Sequence, residues 1–210
     1  MEKKLVIEIL KKLPFEDLSV RLADSSEKID SGSGACITAS VAASFLKRAA
    51  EKARKLETGD QERIDYICRN TEIIRNYMVH LIDEDVRCRG PLRKASETGD
   101  PDKIDACCQS ACAIAFETME MMKFLLGFCD EFTVFFADDI PHYVFEAASL
   151  AYASVETASA YINSVTRLND DETYIFVTNR EAEIFLEECG KLKKKIDSAR
   201  GRIAAYEVKK

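Results

Sequence analysis

Apolar residues recur three and four positions apart along most of the chain, the spacing of one face of an α-helix. Leu5, Val6, Ile9, Leu10 and Leu13 form the first stripe, and Pro14 ends that helix or starts the next. Phe15 to Leu22 reads as a second, short helix, and Asp24 to Gly34 is the most loop-like stretch of the chain. A long helix is expected from about Ala35 to Leu56; small residues such as Ala39, Ala42 and Ala43 let a neighbouring backbone come close to its first half. Ile64, Ile67, Ile74, Met78 and Leu81 mark a helix from about Gln61 to Cys88 or beyond. Ile104, Cys108, Ala111, Ala115, Met119, Met122 and Leu126 mark another, from Pro101 to about Phe128. Cys129 to Phe136 has the composition of a strand but no second strand to pair with, and is read as a buried connector. Asp138 or Asp139 is expected to cap a helix that has Pro141 near its start and runs to about Val165. Arg167 to Asp171 breaks the pattern, and a last helix is placed over about Asn179 to Tyr206. The reading is all-α: one domain over residues 1–210, a bundle of long antiparallel helices.

A short echo sharpens two of the turns. Glu57-Thr-Gly-Asp60 precedes Ile64-Asp65 and Cys68, and Glu97-Thr-Gly-Asp100 precedes Ile104-Asp105 and Cys108. In each, Gly suits the left-handed residue that closes a helix and Asp caps the next one. Pro101 falls at the first helical position, where its missing N–H does no harm.

Composition narrows the function classes. The 210 residues are 47% hydrophobic and 32% charged, with formal charge −7, so a globular core is affordable and disorder is excluded. Basic and acidic residues alternate, which argues against a nucleic-acid partner. No stretch is apolar enough to span a bilayer, and Glu8, Lys11 and Lys12 break up the only run resembling a leader. The expectation is a cytoplasmic protein with no membrane partner. Its eight cysteines are then free thiols in a reducing compartment. Their spacing matches no zinc pattern; Cys108 and Cys112, one turn apart, are the one pair suited to a soft metal, and no metal is assigned.

Familiar catalytic motifs are absent: no phosphate loop, no zinc-binding His pair, no nucleophile elbow. His80 and His142 are isolated. The densest polar cluster is His80-Leu-Ile-Asp-Glu-Asp-Val-Arg87, in which His80, Asp83, Glu84 and Arg87 share a helix face. That face is either an acid, a base and an anion-binding group together or a solvated surface of local ion pairs.

Taken in order, several segments resemble the cyclodeaminase/cyclohydrolase family, the family of the C-terminal domain of formiminotransferase-cyclodeaminase. The likeness runs from about Phe15 to Tyr206. Phe15-Glu-Asp-Leu18 resembles the family's opening helix, and Leu81-Ile-Asp-Glu-Asp85 its acidic helix motif. Ala137-Asp138 falls where the family has Ser-Asp before a helix, Tyr161-Ile-Asn163 resembles its Asn-bearing helix, and Asp170-Asp-Glu172 the Asp turn that follows. One mark differs. The family's Pro-Gly-Gly-Gly-Ser loop is here Ser31-Gly-Ser-Gly-Ala35, which keeps two glycines and a hydroxyl at Ser33.

The resemblance implies a helical homodimer acting on a tetrahydrofolate that carries a one-carbon unit, with no cofactor beyond that substrate. Two reactions are implied: methenyltetrahydrofolate cyclohydrolase (a hydrolase) or formiminotetrahydrofolate cyclodeaminase (a lyase). Asp83, Asp85 and Asp138 are the positions that would move protons. Ser31, Gly32, Ser33 and Gly34 would present N–H groups to the ligand, Asn163 would hold the pterin edge, and Arg87 or Lys123 would meet the glutamate tail. The alternative is a non-catalytic helical dimer of the same family that binds a folate-like ligand or a partner protein.

Overall fold

Two Gly-Asp turns set the architecture. Gly59 and Gly99 have φ of +70° and +65°, and Asp60 and Asp100 accept from the N–H groups of Arg63 and Lys103 at 3.1 and 3.2 Å. They separate α2 (Ser31–Lys55), α3 (Gln61–Thr98) and α4 (Pro101–Phe135). The computed structural model describes residues 12–23, 31–57, 59–136 and 139–204. Most of the apolar stripe expected at Leu5 to Leu13 lies outside these residues, as does Asp138. A short helix α1 (Phe15–Ala23) precedes α2; α5 (His142–Thr166) and α6 (Glu172–Asp197) complete the order, followed by a 3₁₀ turn at Arg200–Arg202.

Cross-helix contacts give the directions. Arg54 meets Asp65 at 2.7 Å, Lys47 pairs with Glu72, and Ser33 reaches Asp85, so α2 and α3 run antiparallel. Arg63 at the start of α3 forks onto Glu131 near the end of α4 through two 2.8 Å bonds. Ser154 Oγ donates to the Ala35 carbonyl at 2.9 Å and Phe45 stacks on Tyr143, which sets α5 antiparallel to α2. Asn169 to Asp105, Lys123 to Glu188 and Lys195 to Asp130 hold α6 alongside α4 in the same direction. The core is one continuous cluster. Its centre is thin-walled: Ala39, Ala42, Ala43, Ala147, Ala148, Ala151 and Ala158 are fully buried on α2 and α5, which lets these two backbones approach.

Four boundaries differ from expectation. Cys129 to Phe135 is not a connector but the last two turns of α4. Phe132 packs its ring on Phe135 and Phe136 at 5.7 and 5.9 Å, and this tertiary packing overrides the strand propensity of the segment. Ser31 to Gly34 forms the first turn of α2 rather than the end of a loop. Asp139 does not cap α5, and Asp138 lies outside the described residues: Pro141 holds the cap position without a side-chain bond. The last helix starts at Glu172, capped by Asp171 (2.8 and 3.1 Å to the N–H groups of Thr173 and Tyr174), and ends at Asp197. Beyond it, Ile140 and Ile203 form an isolated parallel bridge; no strand occurs among the described residues, and none of their helices is long and apolar enough to cross a membrane.

Candidate active site

The site is built where α2 begins, against the C-terminal halves of α3 and α5. Asp85, on α3, has no exposed surface. Its Oδ2 accepts from Ser33 Oγ at 2.6 Å, and Arg89, one turn further along α3, brings Nε to 3.9 Å from the same oxygen. Gly32 makes this possible. A Cβ there would collide with Asp85 Oδ1 and lie 2.8 Å from its Cγ, so only glycine lets the carboxyl reach the first turn of α2. Ser33 adds its backbone N–H to the same carboxyl. Thus Asp85 caps α2 from another helix, at the end where N–H groups lack intrahelical partners.

The opposite wall is α5. Tyr161, 2% exposed, turns its ring to Arg89, whose guanidinium carbon stands 5.2 Å from the ring centroid. Its hydroxyl lies near enough to Asp85 to favour the carboxylate as a hydrogen-bond donor, and Arg89 approaches the same hydroxyl. The phenol and the carboxyl stand side by side, a donor facing an acceptor, so Asp85, Arg89 and Tyr161 form one buried polar cluster. Burial pushes the Asp85 carboxyl above the ordinary range, against the pull of the Ser33 hydroxyl, Arg89, Tyr161 and the Ser33 N–H. Burial also pushes the Tyr161 phenol up, with the Asp85 charge adding to it, so the hydroxyl keeps its proton and is a donor at neutral pH.

A cleft of about 410 Å³ opens from this cluster between α3 and α5. Arg89, Leu92 and Arg93 line one side, Tyr161, Ser164 and Val165 the other. Its volume falls within the usual range for small-molecule sites. Tyr161 and Arg89 line its inner end and Asp85 is buried behind them, so a phenol donor backed by a carboxyl and a guanidinium can orient a bound molecule and steady charge that develops on it.

The residues singled out from the sequence divide sharply. Gly32 and Ser33 touch Asp85; Gly34 faces open space, and Ser31 is the first residue of α2. Asp83 is buried (6% exposed) but stands two residues from Asp85, roughly 200° around the helix, so the two acids do not converge. Asp138 lies outside the described residues. Arg87 is exposed and paired with Glu84, which His80 also approaches at 3.6 Å; these three form a surface cluster and do not line the cleft. Lys123 bridges to Glu188 across α4 and α6 and lies 5.3 Å from the Phe185 ring. Asn163 turns back on its own helix, donating to the Ser159 carbonyl at 2.9 Å.

Arg89, Arg93 and Tyr161 were missed. The Asp85–Arg89 spacing of four is the ion-pair spacing of a helix and could have pointed to the first of them. Nothing in sequence alone separates Tyr161 from a core tyrosine. All eight cysteines are free, and burial pushes the thiols of Cys36 and Cys108 up to about 12 and about 11, so they stay protonated. Among the described residues no three His, Cys, Asp or Glu side chains are grouped to hold a metal, and Cys108 instead donates to the Val165 carbonyl at 3.5 Å.

No protein-family model and no curated protein matches the chain. Among solved structures, the crystal structure of formiminotetrahydrofolate cyclodeaminase from Thermotoga maritima is similar, with a TM-score of 0.77 over 90% of this chain and 98% of that one, at 16% sequence identity. At that identity the likeness is one of fold, and it extends over nearly the whole length of both chains. The chain has the all-helical fold of a formiminotetrahydrofolate cyclodeaminase, the fold its sequence motifs imply.

Proposed function

We propose that this protein is a tetrahydrofolate one-carbon enzyme, either a methenyltetrahydrofolate cyclohydrolase or a formiminotetrahydrofolate cyclodeaminase. One observation carries the reading: in a chain with this fold, buried Asp85, held by Ser33 and Arg89 and faced by Tyr161, lies directly behind a ligand-sized cleft that Arg89 and Tyr161 line. Both reactions move protons around one carbon held between two nitrogens. In the cyclohydrolase, water adds to the methenyl carbon, one carbon–nitrogen bond breaks, and the freed nitrogen takes a proton. In the cyclodeaminase, a ring-system nitrogen attacks the formimino carbon and loses its proton, and ammonia leaves carrying one. Asp85, with its pKa raised by burial, holds a proton more readily than an exposed carboxyl and can both accept and return one. As a carboxylate it also offsets the positive charge of the methenyl bridge. Tyr161 holds the donor that orients the ligand, and the cluster at Ser33 fixes the carboxyl. Of the three acids named from sequence, Asp85 takes this role.

A homodimer and a cytoplasmic setting belong to the same reading. Phe176, Val177 and Ile184, exposed along α6, are apolar residues available to a second copy, which light scattering would reveal as a doubled mass. A second reading has its own support. Asp85 also serves as the cap of α2, and Ser31-Gly-Ser-Gly-Ala35 replaces the family's loop, which suits a helical relative that binds a folate or a partner without chemistry. Mixing purified protein with methenyltetrahydrofolate and following the bridge's ultraviolet absorbance separates the two. Loss faster than the buffer control supports the hydrolase, and ammonia release from the formimino substrate supports the lyase. Neither signal, with a rise in thermal stability on adding tetrahydrofolate, supports the binder.

A further inference from the structure

We propose that Cys88 on α3 and Cys107 on α4 form a redox modification site, a thiol pair that a low-molecular-weight disulfide such as glutathione disulfide oxidises to an intramolecular bridge. The inference stands apart from how Asp85 and the cleft are read. Of the eight cysteines, these are the two that are not buried. The register of the helices brings them together. Arg63 meets Glu131 and Tyr77 meets Glu117, so α3 and α4 run antiparallel in a fixed step. The same step sets Cys88 level with Ala106 and Cys107. The facing sides agree as well. Cys88 follows Tyr77 by about three full turns and so shares the side of α3 that meets α4. Cys107 lines a groove between the two helices with Pro91 and Ala95, about one and two turns past Cys88. Burial pushes the Cys88 thiol up, and Asp85, Glu84 and Cys107 add to it, so the two sulfurs are within electrostatic reach of one another.

The groove decides which thiol reacts first. It holds about 320 Å³ and gives a reagent access to Cys107, with Lys94 and Lys103 along it to draw an anionic disulfide. The Cys107 thiolate attacks one sulfur of glutathione disulfide; the reagent's S–S bond breaks, one glutathione leaves, and Cys107 carries the other. Cys88 then gives up its proton and attacks the Cys107 sulfur, which expels the second glutathione. The two protein thiols are oxidised together, and the reagent is reduced to two glutathione molecules. Pro91 lacks the N–H that would bond the Arg87 carbonyl, so α3 misses a ladder bond beside Cys88 and its backbone can adjust to the spacing a disulfide needs. Along α3, Cys88 stands between Asp85 and Arg89, so the bridge braces the helix that carries the candidate site. In a reducing compartment such a bridge is transient, which suits a sensor and not a structural staple.

The test treats the folded, full chain with glutathione disulfide, quenches in acid, unfolds, alkylates the remaining thiols and counts them by intact mass. Wild type loses two of its eight thiols and retains no glutathione, and dithiothreitol restores both. Cys88→Ser, which lacks the second nucleophile, loses one thiol and keeps one glutathione, mapped to Cys107 by peptide mass. Cys107→Ser reacts at least roughly tenfold more slowly than wild type, because the accessible thiol is gone. A wild-type protein that keeps all eight thiols overturns the proposal, as does one that holds glutathione without closing the bridge. So does a loss of two thiols that persists in either variant, since the bridge then joins other cysteines. Circular dichroism confirms that each variant is folded, and Cys88→Ala and Cys107→Ala repeat the count where serine disturbs the packing.

Discussion

Replacing Gly32 with alanine tests whether the start of α2 is shaped around Asp85. The added methyl would collide with Asp85 Oδ1 and lie 2.8 Å from Cγ and 3.0 Å from Oδ2. Asp85 has no exposed surface, so the carboxyl has no solvent to swing into. The start of α2 is pushed away, and the 2.6 Å bond from Ser33 Oγ breaks with it. Overpacking of this kind costs about 1–3 kcal/mol. Losing a hydrogen bond to a charged acceptor costs about 1.5–3 kcal/mol more. Alanine's better helix propensity returns about 0.5–1 kcal/mol. The net loss is about 2–5 kcal/mol, which in a chain of 210 residues lowers the thermal midpoint by roughly 5–15 °C. The internal control is Gly34→Ala, two residues on, where nothing lies within 4 Å of the added carbon. It should match or slightly exceed wild-type stability. Circular-dichroism melts of the two variants give the comparison. A Gly32→Ala midpoint within 2 °C of wild type, or an equal fall in both variants, would refute the reasoning.

Other consequences follow from the same cluster. Because burial raises the Asp85 pKa above its unfolded value of 3.8, the folded state binds this proton more tightly than the unfolded chain does. The stability tied to this proton is whole below 3.8 and drains away as pH rises through the folded value, so Asp85→Asn should gain stability at pH 8 relative to wild type and show less gain at pH 4; urea unfolding giving the same difference at both values would contradict this. Tyr161→Phe removes a hydroxyl that supports the buried Asp85 carboxyl, so its melting temperature should fall by no more than roughly 5 °C, the scale of one lost hydrogen bond, while turnover falls roughly tenfold or more, and a larger loss of stability would show that the hydroxyl is chiefly structural. Lys123→Met and Arg87→Gln touch surface ion pairs outside the cleft, and steady-state rates should stay within twofold of wild type; a larger fall in either would return that residue to the site.

What the sequence disclosed depended on how local the cause was. The turns at Gly59-Asp60 and Gly99-Asp100 were legible because a left-handed glycine and an aspartate cap act within a few residues. The strand-like run after Cys129 misled because its helix is decided by rings packing on one another, not by propensity. The Ser31 to Gly34 stretch read as a loop because glycine and serine are poor helix formers. It is helical because Asp85, more than fifty residues away, supplies what its first turn needs. The same distance effect governs the site. Asp85 was named, but which of the neighbouring charges joins it is fixed by the rotation of α3, and that selects Arg89 over Arg87. Tyr161 was quoted within a motif, yet its pairing with Asp85 exists only through the packing of α5. Asn163, two residues along, turns back to its own backbone instead.

The central claim is that Asp85 handles the proton of a tetrahydrofolate reaction, and the most direct measurement is the rate at which Asp85→Asn discharges methenyltetrahydrofolate, or releases ammonia from the formimino form, beside wild type at neutral pH. Wild type should turn over one of the two, and the variant, still folded, should lose at least about a hundredfold in rate, the scale of a missing proton-transfer group. A folded Asp85→Asn protein that works as fast as wild type would contradict the account.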